Sequence, residues 1–300
     1  VLFKFLIVYF LVKISYDLLI CYAILMLLVT GGIFICYIFF AHKRFAYLRF
    51  SPVVDRGVMK QMLGFSGWNI LGSLAHLMKE QGANILLNIF FGPTVNAARG
   101  IAFQIQSGVT VFVGNFRLAA RPQMIKSYAA SDIFGLISLF YRISRFSFLL
   151  LWLMALPLLF KIDFILSLWL GEDIPPLSAL FSILSLLIAL TESFASPLTT
   201  VVHATGRMRK FQMICSSIIL FIVPLSYVVL KIGFQPESVM YVSLFVLVMV
   251  HVVRLYLLKE LISYSVREYV TCVLFPCVKV AIFTLLIAYV VNYQLGGAIL

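Results

Sequence analysis

Residues 65–91 read FSGWNILGSLAHLMKEQGANILLNIFF, and this stretch decides how the rest of the chain is understood. By length and flanks it is a membrane-spanning helix. Its middle nevertheless carries His76, Lys79, Glu80, Gln81, Asn84 and Asn88. A Lys or a Glu at the centre of a bilayer costs about 2.5–3.5 kcal/mol even on lenient insertion scales. Asn69, Ser73, His76, Glu80, Asn84 and Asn88 follow helical steps of 4, 3, 4, 4 and 4, which keep them on one face. A spanning helix with one wet stripe must turn it towards other protein or towards water, so the stripe is expected to line a polar path.

The composition agrees with a bilayer as solvent. The chain has 300 residues, 63% of them hydrophobic and only 11% charged, where a soluble globule carries about 25% charged residues. The apolar runs are continuous and do not alternate, which favours a helical bundle over a transmembrane barrel. The net charge of +12 is read as basic cytoplasmic loops facing anionic lipid, with no nucleic-acid partner. Val1 opens directly on an apolar run, with no initiator Met, n-region or cleavage site. The chain is therefore expected to be a fragment, and no signal peptide is assigned. Cys21, Cys36, Cys215, Cys272 and Cys277 lie in or beside apolar runs and are expected to be free thiols.

Nine spanning segments are predicted, at 1–15, 18–41, 65–91, 96–120, 139–168, 176–204, 210–231, 238–258 and 269–292. Every second connection is basic. Lys43, Arg44, Arg49, Arg56 and Lys60 precede the third segment, and Arg207, Arg209 and Lys210 precede the seventh. The alternate loops carry Asp17, Asp163, Glu172, Asp173 and Glu237. The positive-inside rule then places the 42–60 connection in the cytoplasm. After Ser51 and Pro52, the apolar Val54, Val58, Met59, Met62 and Leu63 share one helical face, so residues 51–64 are predicted to form a short amphipathic helix on that surface.

Four segments carry the chemistry. Lys79 and Glu80 lie about 100° apart on their helix, so each is expected to meet a partner from another helix, water or substrate. Asn84 and Asn88 can equally bond neighbouring helices. In the fourth segment Asn96, Gly100, Phe103, Ser107, Thr110, Gly114, Arg117 and Arg121 alternate steps of 4 and 3, with Arg99 and Gln106 beside them. Arg117 and Arg121 serve either as cytoplasmic anchors or as paired donors to a phosphate, and Pro122 is expected to end the helix. In the sixth segment Ser178, Ser182, Ser185, Ala189, Glu192, Ser196, Thr199 and His203 form one small or polar face. Glu192 is a proton or cation site, or the ion-pair partner of Lys79 or Lys279. Lys279 itself reaches the interior, snorkels or pairs structurally. His251 and Arg254 read as anchors. No P-loop, G-x-S-x-G elbow or H-E-x-x-H is present, and no enzymatic activity, cofactor or metal is called for.

With these residues in view, the chain resembles the oligosaccharide flippase branch of the MATE-like superfamily, in particular Bacteroidetes-type polysaccharide biosynthesis proteins. The resemblance rests on FSGWNILGSLA at 65–75, NIFFGPTVNAARGIA at 88–102, RPQMIKSY at 121–128, LWLG at 168–171 and ATGRMRK at 204–210. It implies an all-α MATE-like bundle of two six-helix lobes around a cavity that opens alternately to each side. On that template residues 1–41 are the last two helices of the first lobe and 42–64 a cytoplasmic linker. Residues 65–261 are the second lobe, and 262–300 hold an additional helix. The resemblance further implies a multi-pass protein of the bacterial inner membrane that moves a polyprenyl-pyrophosphate-linked oligosaccharide outwards, alongside a polysaccharide polymerase and glycosyltransferases. His76, Lys79, Glu80, Asn84, Asn88, Arg99, Gln106, Arg117, Glu192, His203 and Lys279 are the expected cavity residues, with Lys79 and Arg117 on the anionic head group. The rival is a Na⁺- or H⁺-coupled small-molecule exporter on the same fold; the excess of Lys and Arg over Glu80 and Glu192 disfavours it for cationic cargo.

Overall fold

Proline and glycine mark where the helices begin, break and end. The structure is a computed structural model and describes residues 18–45 and 55–296. In chain order the described helices are α1 (Leu18–Arg44), α2 (Arg56–Phe91), α3 (Pro93–Ala129), α4 (Ile133–Phe160), α5 (Ile162–Leu170), α6 (Ser178–Thr205), α7 (Arg209–Leu220), α8 (Ile222–Lys231), α9 (Ser238–Leu261), α10 (Val266–Tyr269) and α11 (Phe275–Gly296). A π-helical turn at Val270–Leu274 joins α10 to α11. No strand occurs among the described residues.

The chain divides into two compact units, Val1–Met59 and Lys60–Leu300. In the first, α1 is an apolar helix with a mean hydropathy of 2.5 and none of its described side chains buried. The second contains the packed core. There α6 is the central rod, packed against α3, α4, α5 and α9. Phe181, Leu186, Leu198, Val201 and Val202 of α6 are fully buried. Phe148 of α4 stacks on Phe194 of α6 with ring centroids 4.8 Å apart. Trp152 of α4 donates from Nε1 to Thr284 Oγ1 of α11 at 2.8 Å, which satisfies the indole in an apolar setting. In the α9–α10 connection, Tyr264 donates to the Leu255 carbonyl at 2.7 Å, and burial pushes its phenol above the ordinary range.

Six helical segments among the described residues are long and apolar enough to cross a membrane: Ile20–Arg44, Ile133–Phe160, Ser178–Thr205, Arg209–Lys231, Ser238–Leu261 and Val266–Val291. They stand where six of the nine predicted segments were placed. The segment at 1–15 lies outside the described residues. The segments at 65–91 and 96–120 are helical, within α2 and α3, but their polar side chains take them out of the apolar class. At 36 and 37 residues both are long enough to cross.

Several boundaries differ from expectation for identifiable reasons. Residues 56–64 are not a separate surface helix: α2 runs unbroken from Arg56, because no proline interrupts the ladder before Pro93. Residues 51–54 lie outside the described part. The predicted segment 139–168 begins earlier, at Ile133, where Asp132 caps the helix by accepting from the Gly135 N–H at 2.8 Å. It also splits at Lys161, just past Pro157. Pro122 does not end α3, which continues to Ala129 and buries Met124 to 1% exposure in the core. That packing offsets the hydrogen bond that proline removes. Pro224 cannot donate to the carbonyl four residues earlier, and the chain breaks at Phe221 between α7 and α8. Ahead of Pro276, the Phe275 N–H bonds the Val270 carbonyl, an i→i−5 step that defines the π turn.

The buried stripe of α2 is also not the polar one. It consists of Gly72, Ala75, Lys79, Ala83, Leu86 and Leu87, with the polar stripe alongside at intermediate to full exposure. Small residues there let neighbours approach closely. A Cβ on Gly82 would stand 2.6 Å from Val223 Cγ2 of α8, whereas one on Gly100 of α3 would meet nothing within 4 Å. Gly82→Leu should therefore destabilise the purified protein by about 1–3 kcal/mol through overpacking. Gly100→Ala should leave its melting temperature unchanged or raised, as read by thermal unfolding in detergent.

Candidate functional site: an ion-paired layer beside an arginine-lined cavity

Two buried cations sit within the α2, α3 and α6 cluster, and each must find a counter-charge in an apolar surrounding. Lys79 is 5% exposed and Arg99 is 8% exposed. Lys79 Nζ lies 2.9 Å from Glu80 Oε1 and 3.6 Å from Glu192 Oε1 of α6. Arg99 donates through Nη2 to Glu80 Oε2 at 2.7 Å and through Nη1 to Asn84 Oδ1. Asn84 in turn donates to Gln81 Oε1 at 3.3 Å. Glu80 thus holds one cation on each of its two oxygens. Two lysine and arginine charges balance two glutamates, so the layer is neutral and joins three helices.

The sequence reading kept Lys79 and Glu80 apart because neighbours diverge around a helix. The structure gives each the expected partner on another helix, Glu192 for Lys79 and Arg99 for Glu80, and adds a direct contact between the two. The long side chains bend towards each other, because each is also drawn to a charge on another helix. Of the two partners offered for Glu192, Lys79 is the one in contact.

Next to this layer lies a cavity of about 460 Å³. Its walls include His76 of α2; Gln106, Thr110, Arg117 and Arg121 of α3; Glu192, Ser196, Thr199 and His203 of α6; and Arg254 of α9. On the other side of Gln106, Lys79, Glu80, Arg99, Ser185 and Ser243 enclose a space of only about 20 Å³. Along α3 the order is Arg99, Gln106, Arg117, and along α6 it is Ser185, Glu192, His203. The open cavity therefore lies towards the Arg117 and His203 ends of the helices, and the ion-paired layer constricts the other end.

The α6 stripe divides at this boundary. Ser178, Ser182 and Ser185 are buried, and the Ser182 hydroxyl donates to the Ser178 carbonyl of its own helix at 2.6 Å. Glu192, Ser196, Thr199 and His203 face the open space. Thr110 and Thr199 each donate to their own helix, at 2.8 Å to the Gln106 carbonyl and 2.9 Å to the Ala195 carbonyl. Their lone pairs remain available as acceptors. Arg121 Nη2 stands 3.5 Å from His203 Nδ1.

His76, Gln106, Arg117, Glu192 and His203 are thus brought to the larger cavity, and Lys79, Glu80, Arg99 and Asn84 to the layer that bounds it. Two expected residues are not brought to either. Asn88 is exposed near the end of α2. Lys279 is exposed on α11, its ammonium 4.4 Å from the centre of the Phe275 ring. Arg254 was read as an anchor; it is 6% exposed and lines the cavity. A legible signal was its place on the stripe Leu247, Val250, His251, Arg254, Leu258, the buried side of α9. His251, also read as an anchor, is 8% exposed beside Phe194 and Tyr269. The five cysteines are free, and no group of metal-binding side chains occurs among the described residues.

No family model, curated protein or solved structure matches the chain.

Removing one partner of a buried ion pair strands the other, at about 3–5 kcal/mol, with the low end fitting a partly exposed carboxylate. Glu80→Gln should therefore destabilise more than Glu192→Gln, because Glu80 serves two cations at short range and Glu192 one at 3.6 Å. The double variant Glu80→Gln, Arg99→Met should lose less than the sum of the singles, measured by a double-mutant cycle of thermal unfolding.

Proposed function

We propose that this chain belongs to a membrane transporter that flips a polyprenyl-pyrophosphate-linked oligosaccharide from the cytoplasmic to the outer face by alternating access, for surface polysaccharide biosynthesis. One observation carries the reading: Arg117, Arg121 and Arg254 surround a roomy polar cavity in which Glu192 is the sole carboxylate among the described lining residues, and Glu192 already faces Lys79. A net cationic cavity suits an anionic cargo. Guanidinium groups bind phosphate oxygens through paired N–H donors. Gln106, Thr110, Ser196 and Thr199 offer hydrogen bonds to sugar hydroxyls, which cannot cross hydrocarbon unpartnered.

In this reading α2 and α3 cross the membrane with the six apolar segments, their polar faces turned to the cavity and to the ion-paired layer. With the predicted segment at 1–15 they make nine. The basic ends bearing Arg117, Arg121 and Arg207 lie in the cytoplasm, so the cavity faces inwards and the layer of Lys79, Glu80, Arg99 and Glu192 closes the outer end. Outward opening requires those contacts to part. Lys79, expected on the head group, instead has its charge answered twice; its part is to hold the layer. The arginines are left to meet the phosphates. Cationic cargo, as in the Na⁺- or H⁺-coupled exporter, would find a repelling wall.

The test is flipping of a fluorescent lipid-linked oligosaccharide by full-length protein in liposomes. Hydrogen bonds to charged groups contribute about 1.5–3 kcal/mol, so Arg117→Gln and Arg254→Gln should each slow flipping roughly tenfold to a hundredfold. Unchanged flipping by both folded variants, or ion-driven transport of cationic dyes by the parent, would remove the assignment.

A further inference from the structure

A second hollow, of about 750 Å³, lies where α6 hands over to α7. It shares no lining residue with the cavity described above. Trp68, Met213, Ile214 and Leu261 contribute apolar walls, and Arg207 and Arg209 stand at its polar edge. Its position is set by the ends of membrane-length segments. Thr205 closes one, Arg209 opens the next and Leu261 closes a third. A hollow at those ends sits at the boundary between hydrocarbon and head groups, where a tryptophan is at home.

The charges around it are unequally answered. Lys210 is paired with Glu260 of α9. Arg207 and Arg209 are both exposed, and neither has a carboxylate within 4.0 Å among the described residues. Arg209 lies over the Trp68 ring, 5.5 Å from its centroid, which orients the guanidinium above the apolar wall. The chain thus turns from Gly206 to present two unpaired guanidinium groups over a greasy slot at a membrane face. Water would serve the arginines but not Trp68 or Met213; an acyl chain would serve the slot but not the arginines. An amphiphile with an anionic head satisfies both.

We propose that this hollow binds an anionic phospholipid of the surrounding bilayer, its phosphate between Arg207 and Arg209 and an acyl chain along Trp68 and Met213. The site rests on the membrane-spanning reading of α6 to α9 and not on what the cavity transports. A bound lipid here would brace α2 against α7 and the end of α9, three elements that no ion pair among the described residues joins at this end apart from Lys210 with Glu260.

Native mass spectrometry of the full chain in detergent tests this, with phosphatidylglycerol and phosphatidylcholine of identical acyl chains added in parallel. The parent should retain phosphatidylglycerol preferentially. Arg207→Gln with Arg209→Gln should cut that retention about tenfold while leaving phosphatidylcholine unaffected, and the paired lysine variants should keep most of it. Met213→Glu, at a side chain 43% exposed and so tolerant of change, should lower retention by adding like charge to the slot. Equal retention by the glutamine pair and by Met213→Glu would overturn the proposal. So would displacement of bound lipid by millimolar inorganic phosphate, which would reduce the site to a simple anion contact. A second copy of the chain lost with the same substitutions would mark the hollow as a protein interface and overturn it equally.

Discussion

A positive charge drawn out of water into an apolar bundle is costly unless a carboxylate or a polar cavity meets it, and that constraint organises the packed unit. Lys79 and Arg99 are buried on different helices, and Glu80 lies between them with one oxygen for each. Glu192 adds a contact from the central rod. Losing the mutual attraction would leave several kcal/mol of desolvation unrecovered for each ion. The positions of α2, α3 and α6 around this layer are therefore coupled. A rotation of α2 by one residue would withdraw Lys79 from Glu192.

The same layer divides the molecule along its helices. On one side the serine face of α6 is used for close packing, with the Ser182 hydroxyl turned back on its own helix. On the other side the continuation of that face opens into the cavity. Small side chains serve both ends: they let α3 and α9 approach the central rod beyond the layer, and leave room for a hydrated space below it. The arginines of the cavity differ from the cations of the layer in one respect that matters for ligand chemistry. Among the described residues, Arg117, Arg121 and Arg254 have no carboxylate within ion-pair distance. Most of their donors remain to be used, although Arg121 stands 3.5 Å from His203, whereas those of Lys79 and much of Arg99 are spent within the fold.

In the proposed transport cycle, a neutral layer of four charges would suit a part that holds and releases. Its contacts are short-range and directional, and each side chain is long enough to find water or a new partner after a displacement of a few ångströms. Hydrophobic packing, which spreads over many contacts, would resist such a change more evenly. The proline-associated breaks at Lys161 and Phe221 and the π turn before Pro276 lie outside this layer. The central rod α6, by contrast, is continuous through Pro197.

Continuous apolar runs of spanning length were enough to indicate an all-helical membrane-type chain, because lipid leaves the backbone only helices and closed barrels, and the strands of a barrel would alternate. Six segments could be located to within several residues from hydropathy alone. Polar residues at steps of 3 and 4 marked out α2, α3 and α6, the helices that share the ion-paired layer, since a helix puts such residues on one side whatever it packs against. What the sequence by itself could not decide was which stripe of each helix faces inwards. The rotation of a helix depends on its neighbours' shapes, so the buried side of α2 proved to be small residues and leucines together with Lys79. Pairing was likewise beyond it: the partners of Lys79, Glu80 and Arg99 come from up to three helices, and distance along the chain carries no information about which charges meet. Arg254 and Lys279 make the contrast concrete. Both are single cations in apolar segments, yet one is enclosed at the cavity and the other lies exposed over a phenylalanine, because only the packing of α9 and α11 determines which of them has protein on its far side.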